Sequence, residues 1–525
     1  MVSLPQPDAV WADVVEGLDQ DPAEGLNTAR ECCERHARDR GRLALIVRDA
    51  DGGSERWTYF DLARAASRAA RMFADAGLRP GDRVAAVLSR QVEAWIAALA
   101  AWRSGLVYVP LFCGFGPEAL AQRLAPAEPS AVVVDHRWRD VLERARGDLE
   151  VITVAGPKGA GLVRGDRSFW AELERSAPDG PSAATAASDT ATLMFTSGTT
   201  SEPKGCEITH GGFVSLIPFV RHCFALGRGD LLFSTSDPGW SYGLYTTGCV
   251  PMALGIPRVT YSGDFDPVAW LRVIEAEQAT YVAGAPSAFR RLVTAAERHG
   301  APACLRGATS AGEPLDAETV QAWERVTGTP IRDGYGLTEV GMPLANLGDP
   351  ELPVVAGSLA SAVPGFEVEL IGDEIAVRRP RFQLSAGYVN APDAWEARWH
   401  DDWFLTGDRA DRDEEGRWWF RGRSDDVIVT SGYNVGPVEV ESVLLQHPGV
   451  ADAAAVAQPD PDRGSIVRAV IVRAPGAPPD EELERELQEA VRGRVGRHAY
   501  PRVVDYAEAL PRTETGKLRR AALRG

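Results

Sequence analysis

The sequence lacks the features that mark several classes of protein. The longest apolar stretch, residues 84–111, is interrupted by Arg90, Glu93 and Arg103, so it is not predicted to span a membrane. The N-terminal residues have neither a basic region nor an apolar segment, and no signal peptide is expected. The seven cysteines form no CxxC pair and no metal-ligand spacing. Their odd number favours free thiols in a reducing cytoplasm.

Positive charge is also scarce. The formal net charge of the 525 residues is −18, which argues against a broad surface for nucleic acid or anionic membranes. The apolar content of 45% is ordinary for a globular protein, and the length is enough for several domains or subdomains. An anionic ligand would therefore have to be bound by a few well-placed cations.

Short apolar runs alternate with helical patterns from about residue 57 onwards. Residues 83–88 and 130–135 have the composition of strands, and residues 93–105 that of a helix. This alternation predicts βαβ units and parallel sheets. We therefore expect an α/β protein in which the large N-terminal domain contains two α/β subdomains.

The pattern changes after about residue 353. Residues 353–422 alternate with a period of two and include a predicted hairpin around Ile371-Gly372-Asp373, so they predict a β-rich subdomain. The last hundred residues predict a small α+β domain, with one helix at 438–446 and a second near 481–494.

The segment FTSGTTSEPKG, residues 195–205, raises the first functional question. Small residues let backbone N–H groups approach a ligand closely, and a lysine adds a compact charge that suits phosphate oxygens. A strand before it and a helix predicted from about Thr209 would add a helix N-terminus. His210 is predicted to lie at the start of this helix and not to act as a base. The segment is not a Walker A loop, and a surface turn is the alternative interpretation.

Four distant segments each contain a charged residue of functional interest. They are DGYGLTEVG (333–341) with Glu339, WFLTGDRA (403–410) with Asp408, FRGRSDD (420–426) with Arg423, and PRTETGKLRR (511–520) with Lys517. Taken alone, these residues could be a helix cap, a turn residue, a solvated charge and a surface lysine. In this order, and together with the segment 195–205, they resemble the adenylate-forming enzymes. That superfamily includes acyl-CoA synthetases, aryl-CoA ligases, luciferases and the adenylation domains of peptide synthetases. The resemblance covers about residue 40 to the C-terminus and is nearest to medium-chain acyl-CoA synthetases.

The resemblance implies an activity. Such enzymes use ATP to convert a carboxylic acid to an acyl-adenylate and pyrophosphate, and a thiol then displaces AMP. It assigns ATP binding to Thr196, Ser197, Gly198, Thr199, Thr200, Lys204, Gly312, Glu313, Pro314, Asp333, Gly334, Tyr335, Gly336, Leu337, Asp408, Arg423 and Lys517. It makes Thr338, Glu339 and Lys517 the catalytic residues, with Thr338 at the α-phosphate and Glu339 as the Mg²⁺ ligand.

The resemblance also gives a meaning to the charged segment 421–426. We place the N-terminal domain at 1–422, a hinge at 423–425 with Asp425 as the hinge residue, and a mobile C-terminal lid domain at 426–525. In enzymes of this superfamily, the small domain rotates between the two half-reactions.

The substrates are less closely defined. The segment SDPGWSYGLYTTG (236–248) resembles acyl-CoA synthetases and implies an acyl pocket at Trp240, Gly336 and Gly341. A tryptophan takes the place of Gly336 in acetate-activating relatives, so we expect a medium-chain, branched or aromatic acid. The resemblance assigns CoA binding to Ser431, Gly432, Tyr433, Arg463 and Tyr500. Two residues depart from the usual pattern: Asn434, where medium-chain relatives have arginine, and Glu202, which puts a negative charge beside the phosphate segment.

Two alternatives remain at this stage. The enzyme could transfer its acyl group to the phosphopantetheine of a carrier protein in trans, or to an amine. A non-catalytic nucleotide-binding scaffold is the other alternative. The presence of Lys204, Glu339, Asp408, Arg423 and Lys517 argues against a decayed site.

Overall fold

The computed structural model describes residues 6–145, 149–156, 159–196, 203–227, 229–349, 351–423, 426, 428–430, 433–460, 464–496, 499–512 and 518–524. Its strands are β1 (Leu43–Arg48), β2 (Ser54–Thr58), β3 (Arg83–Val87), β4 (Val107–Leu111), β5 (Ala131–Asp135), β6 (Glu150–Val154), β7 (Arg167–Ser168), β8 (Thr190–Thr196), β9 (Lys204–Thr209), β10 (Leu232–Ser234), β11 (Arg258–Tyr261), β12 (Tyr281–Gly284), β13 (Gly307–Ala311), β14 (Ile331–Leu337), β15 (Gly341–Ala345), β16 (Ser361–Ala362), β17 (Val368–Ile371), β18 (Glu374–Arg378), β19 (Ser385–Tyr388), β20 (Trp399–His400), β21 (Trp403–Arg412), β22 (Trp418–Arg423), β23 (Ile428–Thr430), β24 (Tyr433–Val435), β25 (Val450–Asp460), β26 (Gly464–Arg473) and β27 (Val503–Ala507).

The α-helices are α1 (Pro7–Glu16), α2 (Thr28–Cys32), α3 (Tyr59–Asp75), α4 (Val92–Arg103), α5 (Pro117–Ala127), α6 (Arg139–Ala145), α7 (Phe169–Arg175), α8 (Ile217–Phe219), α9 (Val250–Ala253), α10 (Pro267–Glu277), α11 (Pro286–His299), α12 (Ala317–Thr327), α13 (Pro392–Glu396), α14 (Pro437–Leu444) and α15 (Asp480–Arg494). Shorter 3₁₀ segments occur at Glu34–His36, His136–Trp138, Gly212–Leu216 and Arg520–Ala522, and π-helical turns at Val220–Phe224 and Tyr242–Cys249. None of the helices in the described ranges is long and apolar enough to cross a membrane.

Two large sheets form the N-terminal part of the fold. Among the described residues, the first has nine strands in the order β16-β15-β14-β13-β12-β10-β11-β1-β2 and the second eight in the order β19-β9-β8-β4-β3-β5-β6-β7. Their central strands are parallel, and antiparallel strands lie at both edges of the first sheet and at the β19 edge of the second. The sheets interleave along the chain, since β1 and β2 precede the second sheet but belong to the first. The predicted pair of α/β subdomains is therefore confirmed.

The main core lies between these two sheets. Helix α4 illustrates why: its residues from Val92 to Trp102 are buried at all positions but Glu93, so the helix is covered all round. A helix that is apolar on every face is stable only inside a protein. The same core cluster contains Leu45 and Leu232 of the first sheet and Val84 and Tyr108 of the second. Packing between the sheets thus fixes their relative position, and with it the distance between their strand ends.

Smaller sheets complete the chain. In the described part, an antiparallel sheet of five strands contains β17, β18, β20, β21 and β22, and its hairpin pairs Ile371 with Glu374 as the sequence predicts. The C-terminal region combines the hairpin β23–β24, the sheet β25-β26-β27 and the helices α14 and α15. The β-rich subdomain and the α+β C-terminal unit are confirmed. The helix predicted from about Thr209 begins only at Gly212, because Lys204–Thr209 forms strand β9 along β8.

Candidate active site

The segment expected to bind phosphate connects two antiparallel strands. Thr196 ends β8 and Lys204 begins β9, and the two residues are register partners. The hydroxyl of Thr196 donates to the carbonyl oxygen of Lys204 at 3.4 Å. Ser197, Gly198, Thr199, Thr200 and Glu202 lie outside the described residues. Strands therefore flank the segment on both sides, and no helix N-terminus follows it directly.

Glu339 and Lys204 are both in contact with Tyr388. Glu339 is in the turn between β14 and β15 and is 8% exposed. The hydroxyl of Tyr388 donates to its Oε1 at 2.6 Å. Lys204 Nζ lies 5.3 Å from the centroid of the Tyr388 ring. Burial, and then the Glu339 carboxylate, raise the pKa of Tyr388 well above its ordinary value, so its hydroxyl remains a donor.

A second group joins Tyr335, Asp408 and Arg423. The hydroxyl of Tyr335 donates to Asp408 Oδ2 at 2.6 Å, and Arg423 Nε lies 3.4 Å from Asp408 Oδ1. Asp408 and Arg423 are register partners on β21 and β22, while Tyr335 is on β14 of the first sheet. Burial, followed by the charge of Asp408, raises the pKa of Tyr335. Three residues that the sequence assigned to the nucleoside are thus in direct contact.

The segment Gly312-Glu313-Pro314 lies next to the Tyr335 strand. It follows β13, whose Ser310 and Ala311 are register partners of Asp333 and Gly334 on the parallel strand β14. Ligands of open α/β sheets bind at such carboxyl ends of neighbouring strands. Asp333 is 6% exposed, its Oδ1 has no hydrogen-bond partner in the described ranges, and burial raises its pKa. A buried carboxyl with an unpaired oxygen is suited to a polar ligand.

The residues predicted for the acyl pocket occupy two places. Half-buried Trp240 packs against Phe112 and Phe115, with centroid distances of 5.5 and 5.6 Å. Phe112 follows β4 of the second sheet, and the turn that carries Trp240 follows β10 of the first, so this cluster lies where the two sheets meet. Within that turn Asp237 Oδ1 accepts from the N–H of Gly239 at 2.8 Å, and burial raises the pKa of Asp237 to about 6.

Gly336 and Gly341 lie at the other place, on the facing ends of β14 and β15. A Cβ at Gly336 would be 2.2 Å from the carbonyl oxygen of Gly341 and 2.5 Å from Met342 Sδ. Gly341 has a φ of +91°, which favours glycine. The space beside Gly336 is therefore filled by its neighbouring strand, and the glycine permits a close approach of the two backbones. Thr338 is half-buried in the turn that this approach creates, immediately after Leu337.

The structure describes only some of the C-terminal residues that the sequence predicts to act in binding or catalysis. Ser431, Gly432, Arg463, Asp425 and Lys517 lie outside the described residues. Tyr433 and Asn434 belong to strand β24. The guanidinium carbon atoms of Arg492 and Arg502 lie 4.3 and 4.7 Å from the ring centroid of Tyr500. This places two cations beside a residue that the sequence assigned to CoA.

Sequence reasoning missed two residues at this site, Tyr388 and Asn390. The amide of Asn390 bonds the backbone on both sides of Lys204: its Nδ2 donates to Pro203 O at 3.0 Å, and its Oδ1 accepts from Gly205 N at 2.9 Å. The only local signal is the run GYVNAP at the end of β19, where an aromatic and an amide residue precede a proline.

The donor set fits a metal that arrives with a substrate. No group of three or more His, Cys, Asp or Glu side chains in the described ranges could hold a metal ion. Glu339 instead offers one carboxylate near the phosphate lysine. Mg²⁺ is typically held by one or two carboxylates together with substrate phosphates and water. The residues present therefore fit Mg²⁺ bound with a nucleotide.

Comparison with known proteins shows the family to which the chain belongs. Residues 33–383 match the family described as AMP-binding enzyme, and residues 439–517 match the AMP-binding enzyme C-terminal domain. The chain is 30% identical to acetyl-coenzyme A synthetase of Bacillus subtilis, with 98% of this chain and 93% of the relative covered. It is 32% identical to 4-hydroxybutyrate–CoA ligase 1 of Metallosphaera sedula, with 98% and 92% covered. The crystal structure of an acyl-CoA synthetase from Brucella canis is similar with a TM-score of 0.77 and 35% identity, over 99% of this chain and 98% of that one. The chain belongs to the family of AMP-binding enzymes, and among them it is an AMP-forming acyl-CoA synthetase.

Proposed function

We propose that this synthetase binds ATP across the strand ends of its two large sheets, with the phosphates at Lys204 and Glu339 and the nucleoside at Tyr335 and Asp408. The observation that carries the proposal is that Tyr335 is hydrogen-bonded to Asp408, while Lys204 and Glu339 both contact Tyr388. Asp408 would accept from the ribose hydroxyls, with Arg423 at the same sugar. Gly312, Glu313 and Pro314 would line the adenine pocket together with Tyr335.

Lysine usage supports the assignment of the phosphate site. Only three of the 56 basic residues are lysines, and they are Lys158, Lys204 and Lys517. Two of the three, Lys204 and Lys517, occupy positions that the resemblance assigns to the phosphates of ATP. A chain that uses arginine almost everywhere keeps lysine where a compact charge on a flexible stem is required.

The first half-reaction needs positioning and charge more than proton transfer. A carboxylate is already ionised near neutral pH, so its attack on the α-phosphorus requires no general base. The acid oxygen and the α-phosphorus have to be held in line while negative charge on the phosphate oxygens is neutralised. We assign this to Thr338 and Lys517 at the α-phosphate and to Lys204 at the outer phosphates. Mg²⁺ held by Glu339 and the phosphates would supply further positive charge.

The second half-reaction transfers the acyl group to the thiol of CoA. We propose that the C-terminal domain, residues 426–525, turns about 423–425 between the two steps, with Asp425 as the hinge. The end of β22 at Arg423 and the separate pairing of β23 with β24 support this boundary. Ser431, Gly432, Tyr433, Arg463 and Tyr500 would contact CoA. For Tyr500 the flanking guanidinium groups offer positive charge for a CoA phosphate.

We further propose an acid larger than propionate. The aromatic cluster of Phe112, Phe115 and Trp240 offers an apolar wall at the junction of the sheets, suited to an alkyl chain or a ring. The relatives named above act on acetate and on 4-hydroxybutyrate, so relationship alone leaves the acid open. A cytoplasmic location agrees with the seven cysteines, all of which are free.

Product analysis by mass spectrometry tests the proposal. Purified protein is incubated with ATP, Mg²⁺ and a panel of acids from acetate to medium-chain, branched and aromatic acids, with and without CoA. We expect AMP and acyl-CoA, with the highest kcat/KM for an acid longer than propionate. A best kcat/KM for acetate would refute the pocket assignment. Accumulation of acyl-adenylate that CoA does not consume would instead favour a carrier protein or an amine as acceptor.

A further inference from the structure

Strand β19 and the two residues after it contact both large sheets at the candidate site. β19 pairs with β9 of the second sheet, with Ser385 opposite Ile208 and Tyr388 opposite Cys206. The N–H of Ser385 donates to the carbonyl oxygen of Glu339, in the first sheet, at 3.2 Å. The segment thus bridges the element that carries Lys204 and the turn that carries Glu339.

Tyr388 makes this bridge with its side chain. It is 4% exposed, and it gives its hydroxyl hydrogen to Glu339 Oε1 while its ring face lies near Lys204 Nζ. Lys204 and Glu339 form no ion pair with each other, and none of the described residues donates to Glu339 Oε2. Tyr388 therefore contacts both the carboxylate of Glu339 and the ammonium group of Lys204.

Asn390 contacts the backbone that carries Lys204. Its side-chain amide bonds Pro203 O and Gly205 N, the backbone groups on either side of Lys204. The N–H of Val389 donates to Gly205 O at 2.9 Å, which adds a third bond to the same short stretch. The backbone that carries Lys204 is thus fixed from one side by residues 389 and 390.

We propose that Tyr388 and Asn390 are positioning residues: Tyr388 orients Glu339 for the metal that accompanies ATP, and Asn390 fixes Lys204 for the phosphates. This inference rests on the proposed function of Glu339 and Lys204. Partners that orient a metal ligand typically change metal affinity or activity by about 10- to 100-fold when they are removed.

The test measures nucleotide binding directly, by titration calorimetry of the full chain with ATP in the presence and absence of Mg²⁺. For Tyr388→Phe we expect Mg²⁺-ATP to bind about 10- to 100-fold more weakly, with binding of metal-free ATP nearly unchanged. For Asn390→Ala we expect weaker binding of ATP in both conditions. Tyr59→Phe is the matched control, because Tyr59 is also fully buried and donates its hydroxyl to a backbone carbonyl, that of Met252 at 3.1 Å.

The outcomes separate the inference from the function on which it rests. If the wild-type protein binds no Mg²⁺-ATP, the proposed function itself is wrong. If wild type binds Mg²⁺-ATP and Tyr388→Phe binds it equally well, the orienting role is refuted. It is also refuted if Tyr388→Phe loses affinity equally with and without Mg²⁺, because that pattern indicates general damage. An Asn390→Ala variant with wild-type affinity for ATP refutes the role of Asn390 alone.

Discussion

The close approach of β14 and β15 makes Gly336 the most sharply testable position near the site. An added Cβ would lie 2.2 Å from Gly341 O, 2.5 Å from Met342 Sδ and 2.9 Å from Met342 Cα. A carbon and an oxygen that are not bonded need more than 3 Å, so the two strands would have to move apart by about 1 Å. Overpacking of this kind costs about 1–3 kcal/mol, and backbone atoms yield less readily than side chains. We expect Gly336→Ala to lower the free energy of unfolding by about 2–3 kcal/mol.

Urea unfolding followed by tryptophan fluorescence measures this loss. Gly229→Ala is the control, because a Cβ there has no neighbour within 4 Å and no positive φ is involved; its effect should stay within about 0.5 kcal/mol. Met342→Ala removes the sulfur but leaves the carbonyl of Gly341, so adding it to Gly336→Ala should restore no stability. Rescue by Met342→Ala, or a Gly336→Ala variant as stable as wild type, would refute the assignment of the clash to the backbone.

Three further predictions concern single side chains. Asp408→Asn should raise the KM for ATP by about 10-fold or more in steady-state assays, since a charged hydrogen bond contributes about 1.5–3 kcal/mol, while the KM for the acid stays nearly constant. ATP with Mg²⁺ should protect Lys204 and Lys517, but not Lys158, from an amine-reactive reagent read out by peptide mass spectrometry; equal labelling of all three would contradict the phosphate assignment. Burial lowers the pKa of His210 from 6.5 to about 4, so between these pH values the unfolded chain binds a proton that the folded chain does not, and stability falls as the pH falls. Between pH 6.5 and 4.5, the free energy of unfolding of His210→Gln, measured in urea, should therefore fall by about 2–3 kcal/mol less than that of wild type. If the two proteins lose stability in parallel over this pH range, His210 is not responsible.

The sequence predicted the layers of this fold because their signals are local. Runs such as 83–88 and 130–135 are strands in the structure, and the helix expected at 93–105 is α4. Residues 204–209 were misassigned because their alternation is weak and their strand character comes from pairing with β8. His210, expected to begin a helix, instead accepts from the N–H of Thr28 at 3.1 Å through its Nδ1. That contact joins residues far apart in the chain, and no local sequence pattern predicts it.

In the candidate site too, residues with local sequence signals were predicted, and residues that depend on contacts between distant parts of the chain were not. The residues predicted for ATP were found through charged or glycine-rich segments, and Tyr335, Asp408 and Arg423 do meet in the structure. Tyr388 and Asn390 were not predicted from the sequence because their hydrogen-bond partners lie 49 and up to 187 residues away along the chain. Only the placement of β19 beside β9 brings them to the site. The chemistry of the site is therefore visible in the sequence, whereas the residues that orient it depend on how strands from separate parts of the chain pair.

The nearly exclusive use of arginine in this chain explains why lysine matters at residue 204. Arginine has a planar fork of donors that matches a carboxylate, and in this protein arginines commonly pair with acids, as Arg423 does with Asp408. Lys204 makes no ion pair with any described residue and lies over the ring of Tyr388. A weakly held ammonium group remains available to phosphate, and a carboxylate held by a hydroxyl remains available to a metal. In an acidic protein, the site thus depends as much on keeping opposite charges apart as on bringing them near.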